Sequence, residues 1–132
     1  MGFDLKLLVP YVEPHGSQEI LGQEKVLPFA ELQLIRHYDI LGQMVDLGEL
    51  TEVRPCIETM PVPDALKVRR LNSEVGASWE HCDDARKELC FTYAKEFSKI
   101  NLGEAPHPIN QAVMAYLAAL PPDTPIILWG AN

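Results

Sequence analysis

Apolar and polar residues alternate at the start of the chain, in the stretch FDLKLLVPY. Phe3, Leu5 and Leu7 share one parity, and polar residues occupy the positions between them. Side chains in a β-strand point alternately to opposite faces, so this period of two predicts a first strand. Pro10 and the turn residues that follow it predict where the strand ends.

The next apolar segment combines two periods. Residues 29–36 alternate and are predicted as a second strand. From Tyr38 onward, apolar residues recur at helical spacing, which predicts a short helix over 39–47 with Gly48 at its C-terminal boundary. A single helix across the whole segment stays open as an alternative, because the spacing of its apolar residues also suits a helix.

Prolines interrupt the middle of the chain, and central strands tolerate proline poorly. The pattern therefore predicts a short edge strand over 56–60 and a second short strand over 65–71. Residues 72–87 show almost no apolar periodicity and are predicted as a loop. A loop of this length in a compact domain is usually functional or mobile.

The last third of the chain carries the clearest pattern. The stretch LCFTYA predicts a strand, and KEFSKINLG predicts a brief helix or turn that ends at Gly103. A helix is predicted over 108–120, with Pro108 in its first turn. Its apolar stripe consists of Ile109, Val113, Tyr116, Leu117 and Leu120.

A strand buried on both faces is predicted over 125–129, because PIILW is wholly apolar and follows the turn PPDT. The helix before it is expected to pack on the same sheet. Residues 1–132 are expected to form one globular domain. The order of elements predicts an α+β or small α/β fold, with a single mixed sheet of about four to six strands and helices packed on it.

Charge narrows the classes of partner. The chain has 11 basic and 19 acidic residues and a formal net charge of -8. Such a surface repels phosphate backbones, which disfavours direct nucleic-acid binding. The three cysteines suggest no paired framework, and the N-terminus lacks a signal peptide or membrane span. We therefore expect a cytoplasmic protein without membrane contact.

The stretch SWEHCDDARKELC places residue types that bind metals close together. Structural zinc sites space their ligands in pairs, and His81 and Cys82 are adjacent instead. No second pair exists, so no metal site is predicted. The acidic neighbours of Cys82 should raise the pKa of its thiol, which argues against a reactive thiolate. No cofactor-binding motif is present, and no catalytic residue is assigned.

Five residues remain as candidates for binding a ligand or partner. His37 stands where the second strand gives way to a helix, next to Arg36 and Asp39. The competing interpretation is that Asp39 caps the helix and His37 faces solvent. Trp79 either serves as a binding anchor in the 72–87 loop or pins that loop to the domain. The other candidates are His81, Asp84 and Trp129, and Trp129 is expected in the core or in an interface.

The two ends of the chain, MGFDLKLLVPY and AVMAYLAALPPDTPIILWG, resemble short uncharacterised bacterial proteins encoded by phages and mobile gene cassettes. The resembling stretches carry structural elements: a first strand, a helix with its turn, and a closing strand. The resemblance implies a genetic context and transfers no activity and no site residue.

Three functions are compatible with these patterns. The first is a non-catalytic binding or protein-interaction module, whose partner is a second copy or another protein. The second is a small ligand-binding domain or enzyme, in which His37, Trp79, His81 and Asp84 would line one pocket. The third is an acidic inhibitor that mimics nucleic acid, which would need carboxylates clustered on one face.

Overall fold

The computed structural model describes residues 2–10, 26–27, 29–62, 67–69, 79–80 and 89–131. The described strands are, in chain order, β1 (Asp4–Pro10), β2 (Val26–Leu27), β3 (Phe29–Gln33), β4 (Met60–Pro61), β5 (Lys67–Arg69), β6 (Trp79–Glu80), β7 (Cys90–Tyr93) and β8 (Pro125–Ala131). The described helices are α1 (Tyr38–Leu41) and α2 (Pro108–Ala119), with the 3-10 helices η1 (Gly48–Leu50) and η2 (Ala94–Lys99).

A five-stranded sheet in the order β3–β1–β8–β7–β4 forms the centre of the fold. Every neighbouring pair in it is antiparallel. A smaller sheet in the order β2–β5–β6 contains the described parallel pair, β2 with β5. A central sheet that carries a few helices confirms the predicted α+β class, and its five strands lie within the expected four to six, although they are antiparallel and not mixed.

Strand β8 lies in the middle of the sheet and is buried on both faces, as its apolar sequence predicted. Ile126 and Leu128 belong to the larger apolar cluster, and Ile127 and Trp129 belong to a second cluster. Successive side chains of a strand point to opposite faces, so the two clusters lie on opposite sides of the sheet. Each face of β8 therefore has its own core.

The helices pack on the face that carries the larger cluster. This cluster unites side chains of β1 and β8 with Leu41 of α1, Phe97 of η2, and Val113 and Leu117 of α2. The alternation predicted for the first strand is confirmed, because residues 3, 5 and 7 are all buried in this cluster. At about 25 cal/mol per Å² of apolar surface, this burial is the main stabilising contribution to the fold.

Two predicted elements are shorter in the structure. The strand predicted over 29–36 ends at Gln33, and the next backbone N–H groups turn away from β1. The helix predicted over 39–47 is α-helical only over Tyr38–Leu41 and continues as turns, in which Met44 N–H donates to the Leu41 carbonyl. At Gly42 a Cβ would lie 2.6 Å from a methyl carbon of Thr51, so this turn packs too closely for a larger residue.

The predictions for the middle of the chain are only partly met. The edge strand predicted over 56–60 is reduced to Met60–Pro61, which pairs with β7 at the edge of the sheet. Of the strand predicted over 65–71, Lys67–Arg69 is present in the smaller sheet. Trp79–Glu80, predicted as loop, pairs with β5 instead. Local periodicity cannot reveal a two-residue strand whose partner lies ten residues away in sequence.

Candidate functional site

Helix α2 is held against the end of β3 by polar contacts at its first turn. The Ile109 N–H donates to Nδ1 of His107, 3.1 Å away, which caps the helix directly before Pro108. Asn110 is only 2% exposed, and its Oδ1 accepts the N–H of Ile35 at 2.7 Å. A buried polar side chain with a satisfied hydrogen bond fixes the rotation of the helix about its own axis.

This rotation divides α2 into a buried face and an exposed face. Val113 and Leu117 are buried against the sheet. Ile109 and Tyr116 are 47% and 44% exposed, although the sequence pattern predicted both in the core-facing stripe. That part of the prediction is wrong, because the buried side of the helix is formed by Asn110, Val113 and Leu117.

The exposed side of α2 has no charge. We name the exposed residues Ile109, Ala112, Tyr116 and Ala119 the α2 face. No Asp, Glu, Lys or Arg occurs anywhere in 105–122, within a chain of which 23% is charged. This gap in charge is visible in the sequence and marks the exposed side of α2 as an uncharged surface.

A charged pair lies beside Ile35, which is itself 41% exposed. Arg36 donates two hydrogen bonds to the carboxylate of Asp4, at 2.9 Å and 2.8 Å. These hydrogen bonds lower the pKa of Asp4, and the charge of Arg36 adds to the effect. The two charges neutralise each other, so the surface next to Ile35 carries no net charge from this pair.

A polar cleft of about 410 Å³, the His37 cleft, lies between α1 and residues 101–103. Its lining includes His37, Asp39, Gln43 and Asn101. Gln43 joins the two sides, because its amide nitrogen donates to the carbonyls of Asp39 and Asn101, and its side-chain oxygen accepts the Asn101 N–H. The cleft walls are therefore fixed relative to each other.

The polar residues of this cleft differ in the hydrogen bonds that their side chains form within the protein. The Thr51 hydroxyl donates to the carboxylate of Asp39 at 2.6 Å. His37 occupies the N-cap position of α1 without capping it by its side chain, and it is exposed. The helix cap is thus not Asp39, which lies in the first turn, while the solvent-facing orientation of His37 agrees with the competing interpretation above.

An apolar groove of about 480 Å³, the η2–α2 groove, separates η2 from α2. Its polar lining residues are Lys95 and Ser98 at η2. The apolar lining residues are Ala94, Phe97, Ile100, Leu102, Met114, Leu117, Ala118, Leu120 and Pro122. Leu102 also lines the His37 cleft, so the two depressions are neighbours on the same side of the molecule.

A buried carboxylate fixes η2 to the middle of the chain. Oε1 of Glu96 accepts the Glu58 N–H at 2.8 Å and a hydrogen bond from the Lys99 ammonium at 2.9 Å. The backbone donor and then the ammonium lower the pKa of Glu96. The Thr92 hydroxyl donates to the carbonyl of the same residue 58, at 2.6 Å. These hydrogen bonds fix the position of η2, which forms one wall of the η2–α2 groove.

The structure places two of the candidate residues, Trp129 and His37, on opposite sides of the central sheet. Trp129 is 2% exposed in the second apolar cluster, on the sheet face opposite the helices, which agrees with the expectation of a core position. His37 lies on the helix side, in its cleft. Trp79 lies in β6, and His81 and Asp84 lie outside the described residues.

Within the described ranges, no three His, Cys, Asp or Glu side chains are placed to hold one metal ion. Among the helices of the described part of the chain, none has the length and apolar character needed to cross a membrane. Comparison of the chain with protein-family models, curated proteins and solved structures finds no match.

Proposed function

We propose that this protein is a non-catalytic interaction module that associates with a second copy of itself through the α2 face. The observation that supports the proposal is a two-turn apolar surface, with Ile109 and Tyr116 nearly half exposed, on a helix without charge. Exposed apolar side chains that recur along one side of a helix are typical of protein contacts.

The uncharged α2 face lessens the electrostatic repulsion that opposes the pairing of two copies. Each chain has a formal net charge of -8, so two copies repel each other in most orientations. Contact through the α2 face places no like charges directly opposite each other, because residues 105–122 contribute no charge to it, and so this repulsion opposes it least. A two-fold symmetric pair would place the same surface of both copies in contact, with α2 packed against α2.

The size of the surface predicts a weak dimer. A helix of 12 residues is about 18 Å long. Two such helices in contact bury less than the ~800 Å² per partner of a standard stable interface. We therefore expect association that depends on concentration, and Ile35 is expected to extend the contact where β3 ends.

Introduction of a charge into the α2 face tests the proposal. Tyr116→Glu would bury a carboxylate opposite its symmetry copy and should abolish dimerisation. Gln111→Glu is the matched control, because it adds the same charge to the same helix at an exposed position about 140° around the axis. Sedimentation equilibrium from micromolar to near-millimolar protein measures both variants and the wild type.

We expect the wild type and the Gln111→Glu variant to dimerise with the same association constant. The Tyr116→Glu variant should stay monomeric. A wild type that is monomeric over the whole concentration range would contradict the proposal. So would two variants with equal association constants. Far-ultraviolet circular dichroism of each variant separates loss of association from loss of folding.

A second candidate function, a small ligand-binding domain or enzyme, is favoured by the His37 cleft. The cleft is concave, and the exposed imidazole of His37 stands beside Asp39 and Gln43. Titration of labelled protein with mixtures of free amino acids, sugars and nucleoside monophosphates tests this function. In nuclear magnetic resonance spectra, changes in the His37 and Gly103 resonances of the wild type, with an unchanged Gly103 resonance in His37→Ala, would favour it over the interaction module. Unchanged resonances in the wild type would contradict it.

A further inference from the structure

The first turn of α2 is capped by the ring of a histidine. The Ile109 N–H donates to Nδ1 of His107 at 3.1 Å, and the Gln111 N–H donates to the His107 carbonyl at 3.0 Å. Pro108 has no N–H, so the backbone donors of the first turn that need a partner outside the helix are those of Ile109 and Asn110. The imidazole of His107 therefore satisfies one of these two donors.

Such a cap exists only while the imidazole is neutral. A neutral imidazole has one nitrogen that accepts a hydrogen bond and one that donates, whereas both nitrogens of the protonated ring donate. Histidine takes up its second proton within the range of roughly pH 5 to 8, in which the more usual capping residues Ser, Thr, Asp and Asn keep their acceptor oxygens. Protonation also places a positive charge at the positive end of the helix dipole, which is unfavourable. Acid therefore opposes this cap in two ways.

The charged groups around His107 do not compensate for the loss of the cap. The first turn of α2 contains no acidic residue. The ionisable groups on the adjoining segments are Glu104, before the histidine, and Asp4, Arg36 and His37 beside the end of β3. Asp4 already pairs with Arg36, and no ion pair of the described residues joins His107 to a carboxylate. A protonated His107 would thus lose its hydrogen bond to the helix without an ion pair in exchange.

We infer that His107 is a pH-sensitive cap, which holds the first turn of α2 closed at neutral pH and releases it in mildly acidic solution. The release is local, because Asn110 still ties the helix to the sheet through the Ile35 N–H, and this hydrogen bond does not titrate. Ile109 is the first residue of the α2 face, so opening of the first turn displaces it from that surface. The effect on the α2 face rests on the proposed function, whereas the cap itself is a property of a single chain.

Nuclear magnetic resonance of nitrogen-15-labelled protein between pH 8 and pH 5.5 tests the hydrogen bond directly. At pH 8 the neutral ring of His107 should carry its proton on Nε2, because Nδ1 accepts from Ile109. On acidification, the amide resonance of Ile109 should move together with the titration of the His107 ring. A neutral ring with its proton on Nδ1, or an Ile109 amide that does not follow the titration, would overturn the inference.

Urea unfolding of His107→Asn at the same pH values tests the contribution of the cap to stability. Asparagine keeps an acceptor oxygen at the start of the helix and does not titrate. From pH 8 to pH 5.5, the unfolding equilibrium constant of the wild type should rise up to roughly fivefold more than that of the variant, which corresponds to the loss of one helix cap. His37→Asn is the matched control, because His37 stands at the N-cap position of α1 without a side-chain hydrogen bond to the helix. Equal pH responses of the wild type and His107→Asn, or the same change in His37→Asn, would overturn the inference.

Sedimentation equilibrium at pH 8 and pH 5.5 tests the effect of the cap on the α2 face. The wild type and His107→Asn should associate alike at pH 8, and the wild type should associate more weakly than the variant at pH 5.5, where its cap is lost. Equal association of the two proteins at pH 5.5 would overturn the link between the cap and the α2 face. A wild type that is monomeric at both pH values would contradict the proposed function and leave the cap standing, because the Ile109 resonance and the unfolding equilibrium report on single chains.

Discussion

At the scale of single residues, Asn110 decides how α2 meets the sheet. An apolar stripe alone would direct Ile109 and Tyr116 inward with Val113 and Leu117. The amide of Asn110 instead occupies a buried position, because it supplies the acceptor that the Ile35 N–H loses when β3 ends. An unsatisfied backbone donor in a partly buried place costs about 1–3 kcal/mol, so this hydrogen bond contributes to the orientation of the helix.

Asn110→Ala should therefore lower the free energy of unfolding by about 1–3 kcal/mol, since it removes the acceptor for the Ile35 N–H. Gln111→Ala removes an exposed amide at the next position of the helix. Its free energy of unfolding should lie within about 0.5 kcal/mol of the wild-type value. Urea unfolding followed by circular dichroism measures both. Equal losses in the two variants would show that the Asn110 hydrogen bond does not stabilise the fold.

Glu96 predicts part of the response to acid. Its pKa is lowered in the folded protein, first by the Glu58 N–H and then by Lys99. A carboxyl group of this kind stabilises the fold above its unfolded pKa, and the contribution is lost as the pH falls through the lower folded value. Stability should thus decline below the ordinary value of 4.5.

Glu96→Gln keeps an oxygen acceptor for the Glu58 N–H and removes the charge. The variant should be less stable than the wild type at pH 7. The difference should shrink as the pH falls below 4.5, because the carboxyl group is protonated first in the unfolded chain and, at a lower pH, in the folded protein. Urea unfolding at a series of pH values measures the difference. A difference that stays constant down to pH 3 would rule out this ionisation as its source.

At the scale of elements, α2 contributes to the protein in two directions. Its inner side chains, Val113 and Leu117, fill the space above β1 and β8 in the larger apolar cluster. Its outer side chains, Ile109 and Tyr116, remain at the surface and form the proposed interface. Successive residues of a helix are rotated by about 100° around its axis, so different residues face the core and the solvent. One side of α2 thus stabilises the monomer, and the other side is available for contact.

The two sides should differ in their energetic cost on truncation. Leu117→Ala removes a side chain that is 1% exposed and should cost about 2–5 kcal/mol, because it leaves a cavity in the core. Ile109→Ala should cost no more than about 0.5 kcal/mol in the monomer. Thermal and urea unfolding at low micromolar concentration compare the two, and similar losses would contradict the orientation of α2.

At the scale of the whole molecule, strands from near both ends of the chain form the centre of the sheet. β1 and β8 are antiparallel neighbours, with Asp4 opposite Ala131 in the register. β8 also separates β1 from β7, so it joins the two halves of the sheet. The fold should therefore depend on β8 being present and much less on where the chain is cut.

A circular permutant tests this dependence. Joining residue 132 to residue 1 by a short glycine linker and opening the chain after Gly103, an exposed turn residue with φ of 87°, should preserve cooperative unfolding. Deletion of residues 125–132 should abolish it, because the central strand is lost. Thermal unfolding followed by circular dichroism measures both chains. Cooperative unfolding of the truncated chain would contradict the central role of β8.

Prediction from sequence succeeded where a local period was long and strong. The first strand and the helix that begins at Pro108 follow from the spacing of their apolar residues, and the buried strand follows from the unbroken apolar run PIILW after a turn. Short elements such as Met60–Pro61 and Trp79–Glu80 could not be placed, since they exist only through partners distant in sequence. The η2–α2 groove has no signature of its own, as its walls come from two separate segments.

The sequence by itself determined the α+β class, the apolar strand that is buried on both faces and the uncharged stretch 105–122, because these depend on periodicity and composition along the chain. Tertiary structure alone decided the order of the strands, the rotation of α2 about Asn110 and the η2–α2 groove. Those features arise from contacts between segments that lie far apart in sequence, and no local pattern encodes which distant hydrogen bond or surface each segment will meet.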